Sequence, residues 1–356
     1  MTLTVVSVAY ALAAVRPDTA GGAEQVLATL DRALVAAGHR SVVIALDGSQ
    51  TAGTLVPLPA PHGVLDDAVQ AEQHRRVRAA LGHTLAALAR AGTPADVVHL
   101  HGIDFPDVLP PVGVPVLATL HLPPAWYPPA VWALRGRDGP RPGTYLHCVS
   151  EAQARRCPPE AVLLPPIPNG VPVPAHSPAA RRRGYALCLG RICPEKGYHL
   201  AVDAAARAAV PLVIAGQLFA YDAHRRYWAE ELAPRLGRGR ARFIGTVAGA
   251  AKARLLAGAR CLVVPSVAEE TSSLVAMEAA AVGTPVVAFR RGALPEVVVE
   301  GRTGWLCDDV AELTNGITRA GEIDPRACWA EARARFDERV MCATYLTRYT
   351  ELSALR

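Results

Sequence analysis

Residues 261–289 read CLVVPSVAEETSSLVAMEAAAVGTPVVAF, and the fold follows from how that stretch divides. Cys261-Leu262-Val263-Val264 is a short apolar run stopped by Pro265-Ser266, the pattern of a buried strand. Glu269 to Ser273 is a polar loop of carboxylates and hydroxyls. Leu274 to Val282 is alanine-rich with strong helix propensity, Gly283 closes it, and Val286 to Phe289 begins the next strand. The unit is strand, loop, helix, strand. In an open parallel sheet such a loop lies at the carboxyl end of its strand, where ligands bind. Ser272 or Ser273 is a natural N-cap, so the helix directs free N–H groups and its positive dipole end outward, an anion site that suits a phosphate. Glu278 stands roughly 7.5 Å past Ser273 along the axis, badly placed for that phosphate and well placed for hydroxyls one sugar away. The competing reading, a solvated surface carboxylate, sits poorly with its neighbours Ala276, Met277, Ala279 and Ala280.

A second loop carries complementary charge. Tyr185 to Leu189 reads as a strand, followed by Gly190-Arg191-Ile192-Cys193-Pro194-Glu195-Lys196-Gly197 and a helix over 198–209. Arg191 can grip a diphosphate through two donors, and Lys196 adds a compact point charge. Only Lys196 and Lys252 are lysine in a chain otherwise basic through arginine, which singles out Lys196 further. No Asp-x-Asp pair occurs, so chelation of a metal by that motif is not expected and no metal ligand is assigned.

The first half alternates strands and helices: a strand at Thr4 to Val8, a loop through Asp18 to Gly22, a helix from Ala23 to Ala37, and a strand from Ser41 to Leu46. Alternation of this kind predicts parallel sheets with right-handed crossovers. Gly21-Gly22 at the helix start lets a ligand approach the backbone, although no G-x-G-x-x-G follows the first strand. His101 and His121 each end a strand, where functional residues gather in such sheets. The proline-rich stretch around Trp126 and Tyr127 reads as an ordered loop that either lines an acceptor pocket or packs on its domain. Asp66 to Ala91 is an amphipathic helix whose Arg75, Arg76 and Arg78 read as a solvated face, with weak peripheral membrane contact the alternative.

At 356 residues the chain suits two domains. Pro165 to Pro178 holds six prolines that no helix crosses, which places the linker there. The net charge of +5 argues against a nucleic-acid partner. Eight scattered cysteines without a C-x-x-C read as reduced structural thiols, and no apolar run is long enough to span a bilayer, so a cytoplasmic location is expected.

Glu270 and Glu278 with seven residues between them, after Pro-Ser and before Gly-Thr-Pro-Val-Val, resemble the E-x7-E signature of retaining glycosyltransferases of family 4, the glycosyl transferases group 1, which have the GT-B fold. The G-R-x4-K-G loop, the Gly-Gly-x-Glu at Gly21-Gly22, the Pro-Asn-Gly-Val at 168–171 and the Val-Ser-Glu at 149–151 are similar to that family as well. The resemblance implies an α/β protein of two Rossmann-like, doubly wound parallel-sheet domains facing a central cleft. Residues 1–168 would form the N-terminal acceptor domain, with a C-terminal helix, 336–356, packing back on it. Residues 169–335 would form the nucleotide-sugar donor domain.

The resemblance also implies residue roles. Arg191, Lys196, Thr271, Ser272, Ser273 and Leu274 would hold the donor diphosphate, with Gly21 and Gly22 opposite. Glu278 would bind the ribose, and Glu270 would contact the transferred sugar, as would His101. His121, Trp126 and Tyr127 are candidates for the acceptor side. The usual loop of the family reads Glu-Gly-Phe-Gly where this chain has Glu270-Thr271-Ser272-Ser273, so two glycines give way to two hydroxyls. The implied activity is metal-independent transfer of a hexosyl unit, with retention and no cofactor. The co-substrate would be a nucleotide-diphosphate sugar and the acceptor a small molecule or a glycan, an antibiotic-biosynthesis intermediate for instance. A non-catalytic sugar-nucleotide binder and a GT-B isomerase or phosphorylase are the alternatives.

Overall fold

The computed structural model describes residues 2–16, 19, 21–61, 66–134, 140–141, 143–177, 184–236 and 240–355. Of the segments singled out by sequence, Asp18, Ala20 and Pro178 lie outside these. The chain forms two compact units, Met1–Pro168 with Met341–Arg356, and Asn169–Val340.

The first unit contains β1 (Thr4–Val8), β2 (Arg40–Leu46), β3 (Thr54–Leu58), β4 (Val97–Leu100), β5 (Val116–Leu120), β6 (Thr144–Cys148) and β7 (Leu163–Leu164) in the spatial order 3-2-1-4-5-6-7. Every pairing is parallel. Chain order reverses between β1 and β4, the switch point at which a doubly wound sheet opens a crevice beyond its strand ends. Alternate residues of one strand enter different cores: Val6 and Val8 pack with Ile44 and Leu100, and Leu3 and Val5 pack with Leu30 and Leu34. Helices therefore cover both faces, which is why the strands are apolar throughout instead of alternating with polar residues.

The C-terminal helix, Glu338–Ser353, supplies Met341, Cys342, Tyr345, Tyr349 and Leu352 to the second of those cores. Its first residues belong elsewhere. Phe336 lies in a core of the second unit, and the Glu338 N–H donates to the Val171 carbonyl at 2.9 Å. The division therefore falls after Val340, beyond the 335 expected from sequence.

The second unit has β8 (Ala186–Leu189), β9 (Leu212–Ala215), β10 (Ala241–Phe243), β11 (Cys261–Val264), β12 (Val286–Phe289) and β13 (Gly304–Cys307) in the order 10-9-8-11-12-13, again parallel. Its switch point lies between β8 and β11, which pair through Cys261–Ala186 and Leu262–Leu187. The two loops singled out by sequence leave the carboxyl ends of these two strands.

Three strands escape the sequence reading. β3 contains Pro57, which only an edge position tolerates. β7 has two residues, and β13, GWLC, carries its own glycine and tryptophan. The helices Asp222–Tyr227 and Gly249–Gly258 were not anticipated either.

Candidate active site

The two loops at the second switch point are joined by backbone before any side chain is counted. The Val267 N–H donates to the Glu195 carbonyl at 3.0 Å. Gly197 takes φ +62° between the short helical turn Pro194–Lys196 and the helix Tyr198–Arg207. A Cβ on Gly197 would fall 2.2 Å from the Pro265 carbonyl oxygen, so the glycine is required both by its left-handed backbone and by the closeness of the neighbouring loop. From the other side, Gly292 at φ +56° would place a Cβ 2.1 Å from the Glu270 carbonyl, and the Ala293 N–H donates to that same oxygen at 2.7 Å. Glu270 is thus held by backbone packed on both sides of its loop.

The side chains complete the join. Lys196 Nζ donates to Glu270 Oε1 at 2.6 Å, and the buried Ser266 hydroxyl donates to the same oxygen. Arg191 is half-buried beside them and makes no ion pair with a described residue. Its charge is felt by Glu195 and His224 on the same side of the loop.

The helix beyond the loop spans Leu274–Ala281, with Ser273 at its N-cap. Sequence suggests a capping hydroxyl here, but the Ser273 side chain makes no cap hydrogen bond. Its carbonyl instead accepts from Ala276 and Met277, at 3.0 and 3.1 Å. Ala276 is thereby satisfied, and the Leu274 and Val275 N–H groups are left without a side-chain acceptor. Ser272 Oγ is buried with no hydrogen-bond partner. A buried hydroxyl and open helix N–H groups form a set of donors without an acceptor, and that is the chemistry of a site for phosphate oxygens. Thr271 and Leu274 are half-buried on either side of the serines.

Glu278 is not the solvated carboxylate of the competing reading. Its Oε1 accepts from Lys252 Nζ at 2.5 Å, and both side chains are largely covered. Lys252 lies on the helix Gly249–Gly258 and carries no motif. Its rarity in the sequence assigns it no role, and the fold alone brings it to Glu278.

In the first unit, Gly21 precedes the helix Gly22–Ala36, and a Cβ there would lie 1.8 Å from Glu24 Oε2. His101 is 3% exposed, with Nδ1 3.2 Å from His121 Nε2 and with Nε2 buried and unpartnered. Burial drives the His101 pKa well below the usual imidazole range, with His121 adding to the effect, and burial takes His121 to about 4. Both rings are neutral at pH 7.

A chain of hydrogen bonds lies beside this pair. Tyr349 hydroxyl meets His99 Nδ1 at 2.7 Å, His99 Nε2 meets Thr119 Oγ1 at 2.7 Å, Thr119 Oγ1 meets His147 Nε2 at 2.6 Å, and His147 Nδ1 meets the Cys148 carbonyl at 3.0 Å. The carbonyl can only accept, so His147 Nδ1 carries its proton and Nε2 accepts from Thr119. His99 Nε2 then donates to Thr119, and His99 Nδ1 accepts from Tyr349. One proton arrangement satisfies every group, and it requires neutral rings. Burial supplies that condition, taking His147 to about 3 and His99 well below its usual range.

The two aromatic candidates separate. Trp126 is 50% exposed, whereas Tyr127 is 5% exposed and packs against Phe105 and Trp132, its hydroxyl accepting from the Leu122 N–H at 3.3 Å. Tyr127 is a core residue, and Trp126 is the ring presented outward. The basic face of the helix Asp67–Arg90 is also partly neutralised, because Glu72 binds both Arg75 and Arg76. No helix among the described residues is long and apolar enough to cross a membrane.

Two parallel-sheet Rossmann-like domains, with an anion-receptive loop at the switch point of the second, define a GT-B protein. The glycosyl transferases group 1 model matches residues 183–322 and the glycosyltransferase family 4 model residues 20–174. A glycogen synthase of Mycobacterium tuberculosis is 30% identical over 371 aligned residues, covering 89% of this chain and 86% of that one. Among solved structures, AviGT4, a glycosyltransferase involved in avilamycin A biosynthesis, is similar with a TM-score of 0.70 at 23% identity, over 99% of this chain and 98% of that one. Anabaena HepE, in complex with UDP and glucose, has a TM-score of 0.70 at 18% identity, over 98% and 99%. The chain belongs to the family 4, group 1 glycosyltransferases and is a glycosyltransferase.

Proposed function

We propose that the protein transfers a hexosyl unit, with retention of configuration, from a nucleotide-diphosphate sugar to an acceptor hydroxyl, and that its own cations stabilise the departing diphosphate. The observation that carries this reading is the pairing of both glutamates of the E-x7-E motif with the only two lysines of the chain, around a helix start rich in unsatisfied donors. Lys196 and Lys252 each offset one glutamate of the motif, and the helix dipole adds positive potential at the loop.

In this reading the diphosphate lies over Ser272, Ser273 and the Leu274 N–H, with Arg191 and Lys196 as counter-charges. The Lys196 ammonium has three donors and gives one to Glu270, so it can add a phosphate oxygen without abandoning the carboxylate. Fixed cations act where leaving-group charge develops. Glu278 offers Oε2 to the ribose hydroxyls while Lys252 holds Oε1. Glu270 contacts the transferred sugar.

The donor is assigned as a uridine-type sugar nucleotide, with support from the UDP complex of HepE. The acceptor is assigned as a small molecule or natural-product intermediate, with support from the outward ring of Trp126 and the likeness to AviGT4. The test is a panel of nucleoside diphosphates titrated calorimetrically, followed by turnover of the matching sugar nucleotides. Saturable binding of one base series and release of that diphosphate on transfer are expected. Absence of binding across the panel would reject the donor site, and saturable binding of another base series in place of UDP would reject the uridine assignment.

A further inference from the structure

The loop that carries Arg191 and Lys196 holds a second cluster, directed to a different ligand. Cys193, Glu195 and His224 each place one ligand atom within 4.8 Å of the other two. Cys193 is 1% exposed and His224 9%, while Glu195 is exposed. Nδ1 of His224 is buried without a hydrogen-bond partner, which a neutral imidazole in a folded core seldom tolerates. The three come from two elements: Cys193 and Glu195 from the turn after β8, and His224 from the helix Asp222–Tyr227.

We propose that Cys193 Sγ, a ring nitrogen of His224 and the Glu195 carboxylate bind one Zn2+ ion, which ties the Arg191–Lys196 turn to the helix Asp222–Tyr227. Thiolate, imidazole and carboxylate together are the ligand chemistry of zinc and a poor match for Mg2+ or Ca2+, which take oxygen. Zn2+ at about 2.0–2.3 Å from each atom would draw them to roughly 3.5 Å apart. Glu195 is the exposed member of the three. The fourth position is left to water.

Arg191 lies near both Glu195 and His224. A thiolate and a carboxylate offset the two charges of the ion, so Arg191 keeps its positive charge for an anion outside the cluster. The ion is structural in this account and takes no part in sugar transfer. The cluster stands on its own geometry, and failure of the donor assignment would leave it untouched.

The experiment uses the full chain, stripped by chelator and dialysed, titrated with Zn2+ alone and with Mg2+ alone by calorimetry. One equivalent of Zn2+ should bind and raise the melting temperature, and Mg2+ should do neither. Losing even an outer-shell partner costs about 10–100-fold in metal affinity, so His224→Gln and Cys193→Ser should each weaken Zn2+ binding at least about tenfold. Cys188→Ser, a buried thiol outside the cluster, should not. If Cys193→Ser does not fold, Co2+ added to the native chain decides: a thiolate-to-cobalt charge-transfer band at one equivalent supports the site, and its absence overturns it. Zn2+ binding that is missing, or unchanged in His224→Gln, would equally overturn it.

Discussion

Lys196 and Glu270, seventy-four positions apart in the chain, meet at 2.6 Å across the two loops that flank the switch point of the second unit. The contact joins the G-R-x4-K and E-x7-E motifs into one constellation. It also sets the charge of the site, since the lysine reaches the anion already oriented by its carboxylate.

Arg191→Ala and Lys196→Ala should each weaken nucleoside diphosphate binding by about 1.5–3 kcal/mol, the scale of a charged hydrogen bond. Lys196→Ala should cost more in thermal stability, because it leaves Glu270 largely covered and without its cation. Calorimetry that finds unchanged affinity in both variants would reject their role.

Lys252 positions Glu278. Lys252→Met should weaken nucleotide binding although the lysine itself touches no ligand. Combined with Glu278→Gln, it should be non-additive, with a coupling of about 0.5–3 kcal/mol typical of residues in contact. Strict additivity in the double-mutant cycle would show that the 2.5 Å pair does not act as a unit.

Acid should destabilise the protein through the histidines of the first unit. Their folded pKa values are depressed, to about 4 for His121 and about 3 for His147, by burial. An unfolded imidazole titrates near 6.5, so between these values the unfolded chain binds more protons and stability rises with pH. The contribution is complete above about pH 6.5 and declines below it, by up to about 1.4 kcal/mol per pH unit for each ring. Protonation would also break the Tyr349–His99–Thr119–His147 order, which needs neutral rings. Melting curves from pH 7.5 to 5 should move steadily down. A flat profile would contradict the neutral assignment.

Turnover should survive excess chelator, because protein cations replace a metal at the diphosphate. Complete loss restored by Mg2+ or Mn2+ would contradict this reading. Loss of thermal stability restored by Zn2+ would not, since the proposed zinc cluster lies outside the transfer step.

Much of this was legible in the sequence. The run from Cys261 to Phe289 spelled out a strand, an anion-receptive loop, a helix and a strand, because proline, glycine and alanine mark local boundaries strongly. Lys196 stood out by rarity within a motif. The partners of the motif residues were not legible. Lys252 reaches Glu278 only because the helix Gly249–Gly258 packs beside the helix Leu274–Ala281, and no local pattern encodes that approach. Tyr345 and Tyr349 meet the histidines from a helix more than two hundred residues away. Sequence left open whether the stretch around Trp126 and Tyr127 lines a pocket or packs on its domain, because a proline-rich run hides which ring turns inward. β3 was hidden by Pro57, whose tolerance depends on an edge position known only from the sheet.

The most direct test of the account is a pair of variants, Glu270→Gln and Glu278→Gln, each titrated with the nucleoside diphosphate and assayed for turnover. Glu278 is assigned to the ribose, so its loss should weaken the free diphosphate nucleotide by about tenfold or more, one lost charged hydrogen bond. Glu270 is assigned to the transferred sugar, so Glu270→Gln should leave nucleotide affinity intact and lower kcat and kcat/KM together, as for a contact made chiefly in the transition state. If Glu270→Gln abolished nucleotide binding while Glu278→Gln left it unchanged, the donor would lie in the opposite orientation and the account would be wrong.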